Sequence, residues 1–266
     1  MTYFGIHGAL GKMGRSIARL AKKEAQLNLS AAFDINADVV RKSGEFSEGI
    51  TNEILFSKVD RSDLKKLKVL IDFSIPKASL EILELCKEAG IPIVIGTTGF
   101  TPEEEKIIES ASRQIPVLKS SNMSMGVNLL FALVHMAAQS LKDKNFQIEM
   151  MEIHHGRKHD APSGTAKSLE KIILNSIPLD KNVVYGRSGM IGERKPDELG
   201  VFALRGGDVV GDHTVFFLGE GERLELKHQA VNRDIFARGA LNAAKYISDK
   251  EPGMYTMADV LDLKNI

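Results

Sequence analysis

Thr2-Tyr3-Phe4-Gly5-Ile6-His7-Gly8-Ala9-Leu10-Gly11-Lys12-Met13-Gly14 is the stretch that decides the fold. Its first six residues read as a short strand. The rest is a glycine turn of the form GxxGxxG, opening an amphipathic helix over Arg15 to Ala25 with Ile17, Leu20 and Ala21 inward. Glycines at such spacing let the backbone turn sharply and come close to a pyrophosphate, which then rests on the helix N-terminus. Alone the motif is weak, because many α/β proteins turn this way without a nucleotide. The next strand, Leu29 to Phe33, strengthens it by ending at Asp34, where a ribose-binding acid is expected. A carboxylate there accepts hydrogen bonds from the adenine-ribose hydroxyls and repels a 2′-phosphate. No basic side chain follows before Arg41 and Lys42. This favours NADH over NADPH, with Lys12 and Arg15 still available to a phosphate; the bland alternative is that Asp34 merely caps its strand.

Three further strand–helix units extend the pattern. Val69 to Ser74 leads into a helix begun by Pro76. Ile91 to Ile95 runs into Gly96-Thr97-Thr98-Gly99-Phe100, and Thr101-Pro102-Glu103-Glu104 then has the form of a capping box with proline at the first helical position. Pro116 to Lys119 ends at Ser120-Ser121-Asn122-Met123. Short apolar strands alternating with amphipathic helices imply a parallel sheet, whose ligands sit beyond the carboxyl ends of the strands. Gly8, Ala9, Leu10, Gly11, Lys12, Met13, Asp34, Phe73, Gly96, Thr97, Thr98, Ser120, Ser121, Asn122 and Met123 all fall on that edge and together outline a nucleotide crevice. The segment from Gly44 to Leu64 reads as polar, irregular surface with one weak strand near Ile54 to Phe56.

The regular alternation stops near Met125. An apolar helix, Val127 to Leu141, is followed by an alternating strand, Phe146 to Ile153, that delivers His154-His155-Gly156-Arg157-Lys158-His159-Asp160-Ala161-Pro162-Ser163-Gly164-Thr165. Here a cationic, proton-handling loop is set against a helix start. Ser163 suits the N-cap, the amides of Gly164 and Thr165 can point at a carboxylate with the helix dipole behind them, Lys158 adds a full charge, and His154 or His155 can exchange a proton near neutral pH. A plain solvated loop is the competing reading. A metal site is another, since His155 and His159 are four apart, but Gly156 and Pro162 argue against the helix that would bring them together; none is expected. Beyond about Ile177 the pattern turns β-rich, with strands at Val201 to Arg205, His213 to Leu218 and Arg223 to Ala230 between glycine turns. The chain closes with an amphipathic helix, Asp234 to Ile247, and a tail whose apolar spacing returns it to the first domain.

Lys+Arg and Asp+Glu balance at 35 each in 266 residues, so nothing points to a nucleic-acid or membrane partner. One cysteine, Cys86, excludes an internal disulfide framework and falls on the apolar face of a helix, as buried filler rather than nucleophile. With no leader pattern and no apolar run near the ~18 residues of a membrane span, a cytoplasmic protein is expected.

With the glycine turn, Gly96 to Phe100 and above all the run His154 to Ala166 in view, the sequence resembles the 4-hydroxy-tetrahydrodipicolinate reductase family of diaminopimelate and lysine synthesis. Asp72-Phe73-Ser74, Ser120 to Asn128, Gly192-Glu193-Arg194, Arg205 to Thr214 and Met257 to Leu263 carry the match over nearly the whole chain. The resemblance implies hydride transfer from a nicotinamide to a cyclic imine dicarboxylate or its hydrated precursor. It gives His154 as proton donor or acceptor, His155 as a substrate contact, Lys158 as donor and carboxylate partner, and Gly164 and Thr165 as carboxylate-binding amides, in a homotetramer built through the second domain's sheet. Where some members place Arg after the ribose-binding acid, this chain has Ile35, which weakens the case for NADPH.

The expected fold is α/β: an N-terminal Rossmann-type parallel-sheet domain from residues 1–125 with 234–266, and an α+β domain, 126–233, with a mixed, one-sided sheet for substrate binding and oligomerisation. Two other readings stay open, namely a nicotinamide oxidoreductase acting on an amino or hydroxy acid, and a nucleotide sensor without catalysis.

Overall fold

A computed structural model describes residues 1–177 and 182–263. The chain separates into two compact units, one from Met1–Met125 with Asp234–Asp262, the other from Gly126–Arg233 together with Leu263.

The first unit carries a seven-stranded sheet, all of it parallel. Its strands are β1 (Thr2–His7), β2 (Leu27–Phe33), β3 (Leu55–Phe56), β4 (Val69–Asp72), β5 (Ile93–Ile95), β6 (Pro116–Lys119) and β12 (Gly253–Tyr255), in the order β12-β6-β5-β4-β1-β2-β3. β4 is buried along its whole length, as expected of a central strand covered on both faces. On one face Ile71 and Val94 pack with α1 (Lys12–Ala21) and α8 (Asp234–Ile247); on the other, Leu70 and Ile93 pack with α4 (Pro76–Ala89) and α5 (Pro102–Ser112).

Local chemistry sets the ends of these elements. The capping box is present: Thr101 Oγ1 accepts from the Glu104 amide at 3.2 Å and Glu104 accepts from the Thr101 amide at 2.8 Å, with Pro102 at the first position of α5. α4 stops at Gly90, whose φ of 71° is the left-handed conformation that only glycine adopts at little cost. In α8, Gly239 is required by contact, since a Cβ would lie 1.6 Å from the Met123 carbonyl oxygen.

Several boundaries differ from the sequence expectation. α1 begins at Lys12 and ends at Ala21 rather than spanning Arg15 to Ala25, because Gly11 already takes the cap position and the amides of Lys23 and Glu24 close a turn onto Leu20 and Ala21. Between β2 and β4 the segment read as irregular, Gly44 to Leu64, holds the short strand β3, paired with β2, and α3 (Arg61–Leu64), and it is preceded by α2 (Ala37–Ser43); the polar composition hid both helices. The tail adds β12 to the far sheet edge and continues into α9 (Met257–Val260).

The second unit has a mixed five-stranded sheet, β11-β10-β7-β9-β8, made of β7 (Gln147–His154), β8 (Asn182–Val184), β9 (Glu198–Arg205), β10 (Gly211–Leu218) and β11 (Arg223–Ala230). β7 runs parallel to β9 and antiparallel to β10. One face buries Ile148, Met150, Val215 and Phe217 under α6 (Met125–Leu141) and α7 (Gly164–Ser176). The side chains that alternate with these, among them Met151, Phe202 and Phe216, are only half-buried, and Leu204 is exposed. Among the described residues of this unit, helices cover the sheet on one side only.

Candidate active site

In the first unit the glycine turn is held by β2. The amides of Gly8 and Ala9 donate to the Phe33 carbonyl, at 2.9 and 3.1 Å. Gly8 has φ of 77° and no space for a side chain, since a Cβ would stand 2.2 Å from the Phe73 carbonyl oxygen; one on Gly14 would stand 2.4 Å from the Gly8 oxygen. Asp34 reaches back to this turn, one carboxylate oxygen accepting from the Leu10 amide and the other from the Asn36 amide, each at 2.9 Å. A cavity of about 340 Å³ opens there, lined by His7, Gly8, Leu10, Gly11, Asp34 and Phe73 among others. A glycine turn, a carboxylate beyond β2 and an open groove fit the adenosine and pyrophosphate of a dinucleotide. Arg41, the nearest downstream cation, is turned to Asp38 and the Leu55 carbonyl.

Beneath the turn lies a hub absent from the sequence reading. The Asp72 carboxylate, fully buried, is hydrogen bonded to His7 Nδ1 at 2.7 Å, Ser74 Oγ at 2.6 Å, Ser79 Oγ at 2.6 Å and Thr97 Oγ1 at 2.7 Å. It ties together β1, the loop after β4, α4 and the loop after β5. Thr97 therefore spends its hydroxyl inside the protein, where it also accepts from the Ser74 amide at 2.9 Å. Gly96 gives its space to the Phe73 ring, whose nearest carbon would be 2.2 Å from a Cβ. Of the remaining expected contacts, Ala9 and Met123 are buried, while Lys12 and Thr98 are exposed. Ser120 Oγ donates to the Asn122 carbonyl at 2.7 Å, and Asn122 Oδ1 accepts from the Ser124 amide at 2.9 Å. Ser121 is exposed beside them.

In the second unit the strand register assembles the loop that begins at His154. Arg205 lies beside His154 on β9, and His213 lies opposite Glu152 on β10. The His154 ring, 8% exposed, places Nδ1 2.5 Å from Glu152 Oε2. Glu152 is completely buried and also takes a two-pronged contact from Arg205, at 2.9 and 2.8 Å, and the Ser163 amide at 3.0 Å. Burial pushes this carboxyl up, but the hydrogen bonds from His154, Arg205 and the Ser163 amide more than offset it and hold it at about 2. Arg205 further donates to the Asp160 carbonyl at 2.7 Å, clamping the loop. Burial, and next the neighbouring His154, pushes His213 down to about 4, so it is neutral at physiological pH. Its ring meets the His154 ring edge-on at 5.2 Å, and the Ser163 hydroxyl lies 3.1 Å from its Nε2.

Ser163 caps α7, as its position predicts, by accepting from the Ala166 amide at 3.2 Å. Gly164 and Thr165 open the first turn, and nothing lies within 4 Å of where a Gly164 Cβ would be. Lys158 forms an ion pair with Asp160 at 2.7 Å. His155 Nδ1 is buried and has no hydrogen-bond partner among the described residues, and its Nε2 is 3.4 Å from Arg233. Burial and the Arg233 and Arg157 cations lower its basicity. The loop therefore gathers His154, His155, Lys158, Ser163 and the helix start in one unit. Glu152, Arg205 and His213 are the members that sequence reasoning missed. Among the described residues no group of three His, Cys, Asp or Glu side chains is placed to hold a metal ion.

This arrangement offers a proton-exchanging imidazole, cations and helix-start amides for an anionic ligand, while the first unit has the shape of a dinucleotide site. Comparison with known proteins agrees. The family model "Dihydrodipicolinate reductase, N-terminus" matches residues 3–123 and its C-terminal counterpart residues 126–261. The 4-hydroxy-tetrahydrodipicolinate reductase of Aquifex aeolicus is 51% identical, with 97% of this chain and 98% of that protein aligned; the reductase of Anaeromyxobacter sp. is 46% identical over 98% and 97%. Among solved structures, a dipicolinate-bound dihydrodipicolinate reductase from Paenisporosarcina sp. shares the fold with a TM-score of 0.78 at 24% identity, covering 97% of this chain and 98% of that one. Fold, site chemistry and full-length identity thus agree that the chain belongs to the dihydrodipicolinate reductase family, whose members are NAD(P)H-dependent oxidoreductases.

Proposed function

We propose that the chain reduces 4-hydroxy-tetrahydrodipicolinate to tetrahydrodipicolinate in diaminopimelate and lysine synthesis, with His154 as the proton donor. The observation that carries this reading is the collection of His154, His155, Lys158 and the α7 start on one loop of the second unit. The bound dinucleotide supplies the hydride. Gly8 to Met13, Asp34, Phe73 and the loops at Gly96 to Thr98 and Ser120 to Met123 would hold it. Hydride addition to a conjugated imine leaves an electron-rich enamine that must take up a proton, and an imidazole with an ordinary pKa of about 6.5 is suited to give one at neutral pH. The two substrate carboxylates call for fixed positive partners. Lys158 exchanges Asp160 for one, and the amides of Gly164 and Thr165 with Ser163 and His155 receive the other.

NADH is the preferred cofactor in this reading, because Asp34 faces the turn and Arg41 is committed elsewhere. Among the described residues no helix is long and apolar enough to cross a membrane, and a cytoplasmic homotetramer joined through the uncovered sheet face completes the proposal; sedimentation at four chain masses is the expected result. The reaction itself is tested by supplying the synthase product and following NADH and then NADPH oxidation. Turnover with both, faster at low NADH, supports the proposal, and turnover only with an amino or hydroxy acid refutes it.

A further inference from the structure

Glu152 is the most completely enclosed charged side chain near the proposed proton donor, and every group around it is a donor. Oε1 accepts from the Ser163 amide and Arg205 Nη2, and Oε2 from Arg205 Nη1 and His154 Nδ1. The amide and the guanidinium cannot accept a proton. A carboxyl surrounded in this way is ionised, and the ring nitrogen 2.5 Å away must then carry a hydrogen. His154 Nε2 is left as the only atom of that ring able to exchange a proton. Gly211 on the neighbouring strand leaves the room this ring edge occupies, since a Cβ there would stand 2.8 Å from Nε2.

We propose that Glu152, held ionised by Arg205, is a positioning residue that fixes the His154 proton on Nδ1 and makes Nε2 the transferring atom. This rests on the reading of His154 as proton donor. In the transfer the Nε2–H bond of the imidazolium breaks, a bond to hydrogen forms on the reduced substrate, and the ring is left neutral with its Nδ1 hydrogen still given to Glu152. Solvent then restores the Nε2 hydrogen. Without the carboxylate either nitrogen of the imidazolium can lose its proton, and either nitrogen of the neutral ring can keep the remaining hydrogen. The same carboxylate also receives the Ser163 amide while Arg205 holds the Asp160 carbonyl, so one buried group aligns the imidazole with the loop that carries Lys158.

The test combines nitrogen NMR of histidine-labelled protein with kinetics. In the unsubstituted protein the neutral His154 ring is expected as the Nδ1–H tautomer; an Nε2–H or mixed tautomer overturns the proposal whether or not any variant folds. Glu152→Gln is expected to lose that tautomer and to lower kcat between about tenfold and a hundredfold with KM within about twofold. In a His154→Gln background the same substitution is expected to cost nothing further. A full additional loss there marks a merely structural role and overturns the proposal. Wild-type turnover in His154→Gln alone defeats the parent reading instead, and with it the catalytic consequence drawn for Glu152, while the tautomer still reports the contact itself.

Discussion

Asp34 shows how one side chain can carry two tasks. Its oxygens brace the glycine turn through the Leu10 amide and the following loop through the Asn36 amide, while in the proposed reading its charge opposes a 2′-phosphate. Asparagine keeps an acceptor but removes the charge. Asp34→Asn is therefore expected to reduce the preference for NADH over NADPH on the order of tenfold, read as the ratio of the two dissociation constants by fluorescence titration; an unchanged ratio would place the discrimination elsewhere. Asp34, His154 and Ser163 were all legible in the sequence, because each stands at a fixed offset from a local signal, a glycine turn or a helix start. Asp72, Glu152 and Arg205 were not. Arg205 meets Glu152 from 53 residues away, through a β7–β9 register that no local pattern encodes. Nor does sequence distinguish a buried residue from an accessible one, which is why Ala9, Thr97 and Met123 stood among the expected contacts although all three are buried.

At the level of elements, strong local chemistry was readable and weak chemistry was not. The capping box at Thr101 and the proline starts of α4 and α5 appear where the sequence places them, since each satisfies helix-end amides or fixes φ without help from the rest of the chain. Thr101→Ala is expected to destabilise the first unit by about 1 kcal/mol, measured by urea unfolding, with kcat unchanged. α3 has four residues and β12 three, too short for any periodicity to show; they exist because α4 packs against the one and β6 pairs with the other. The early end of α1 has a similar origin. The helix must stop in time for Leu27 to enter β2, and a turn at Lys23 and Glu24 accomplishes that.

For the molecule as a whole, the buried ionisable groups of the second unit set the response to acid. His213 is kept neutral by burial, next by His154, with its folded pKa near 4 against about 6.5 unfolded. The unfolded chain thus binds the extra proton first. Stability that is full above about pH 6.5 falls as pH drops toward 4, by up to about 3 kcal/mol. Glu152, held at about 2 in the folded state, adds a second loss below its unfolded value. Urea midpoints are expected to fall from pH 6.5 downward, and His213→Gln to flatten the upper part of that fall; a midpoint independent of pH between 4 and 6.5 would contradict this. The proposed function depends on something narrower, a single imidazole giving a proton to a substrate that has received hydride. The most direct test is His154→Gln, with turnover and NADH affinity measured on the same protein. Turnover is expected to fall on the order of a hundredfold or more with affinity nearly unchanged, whereas turnover at the unsubstituted rate would contradict the account.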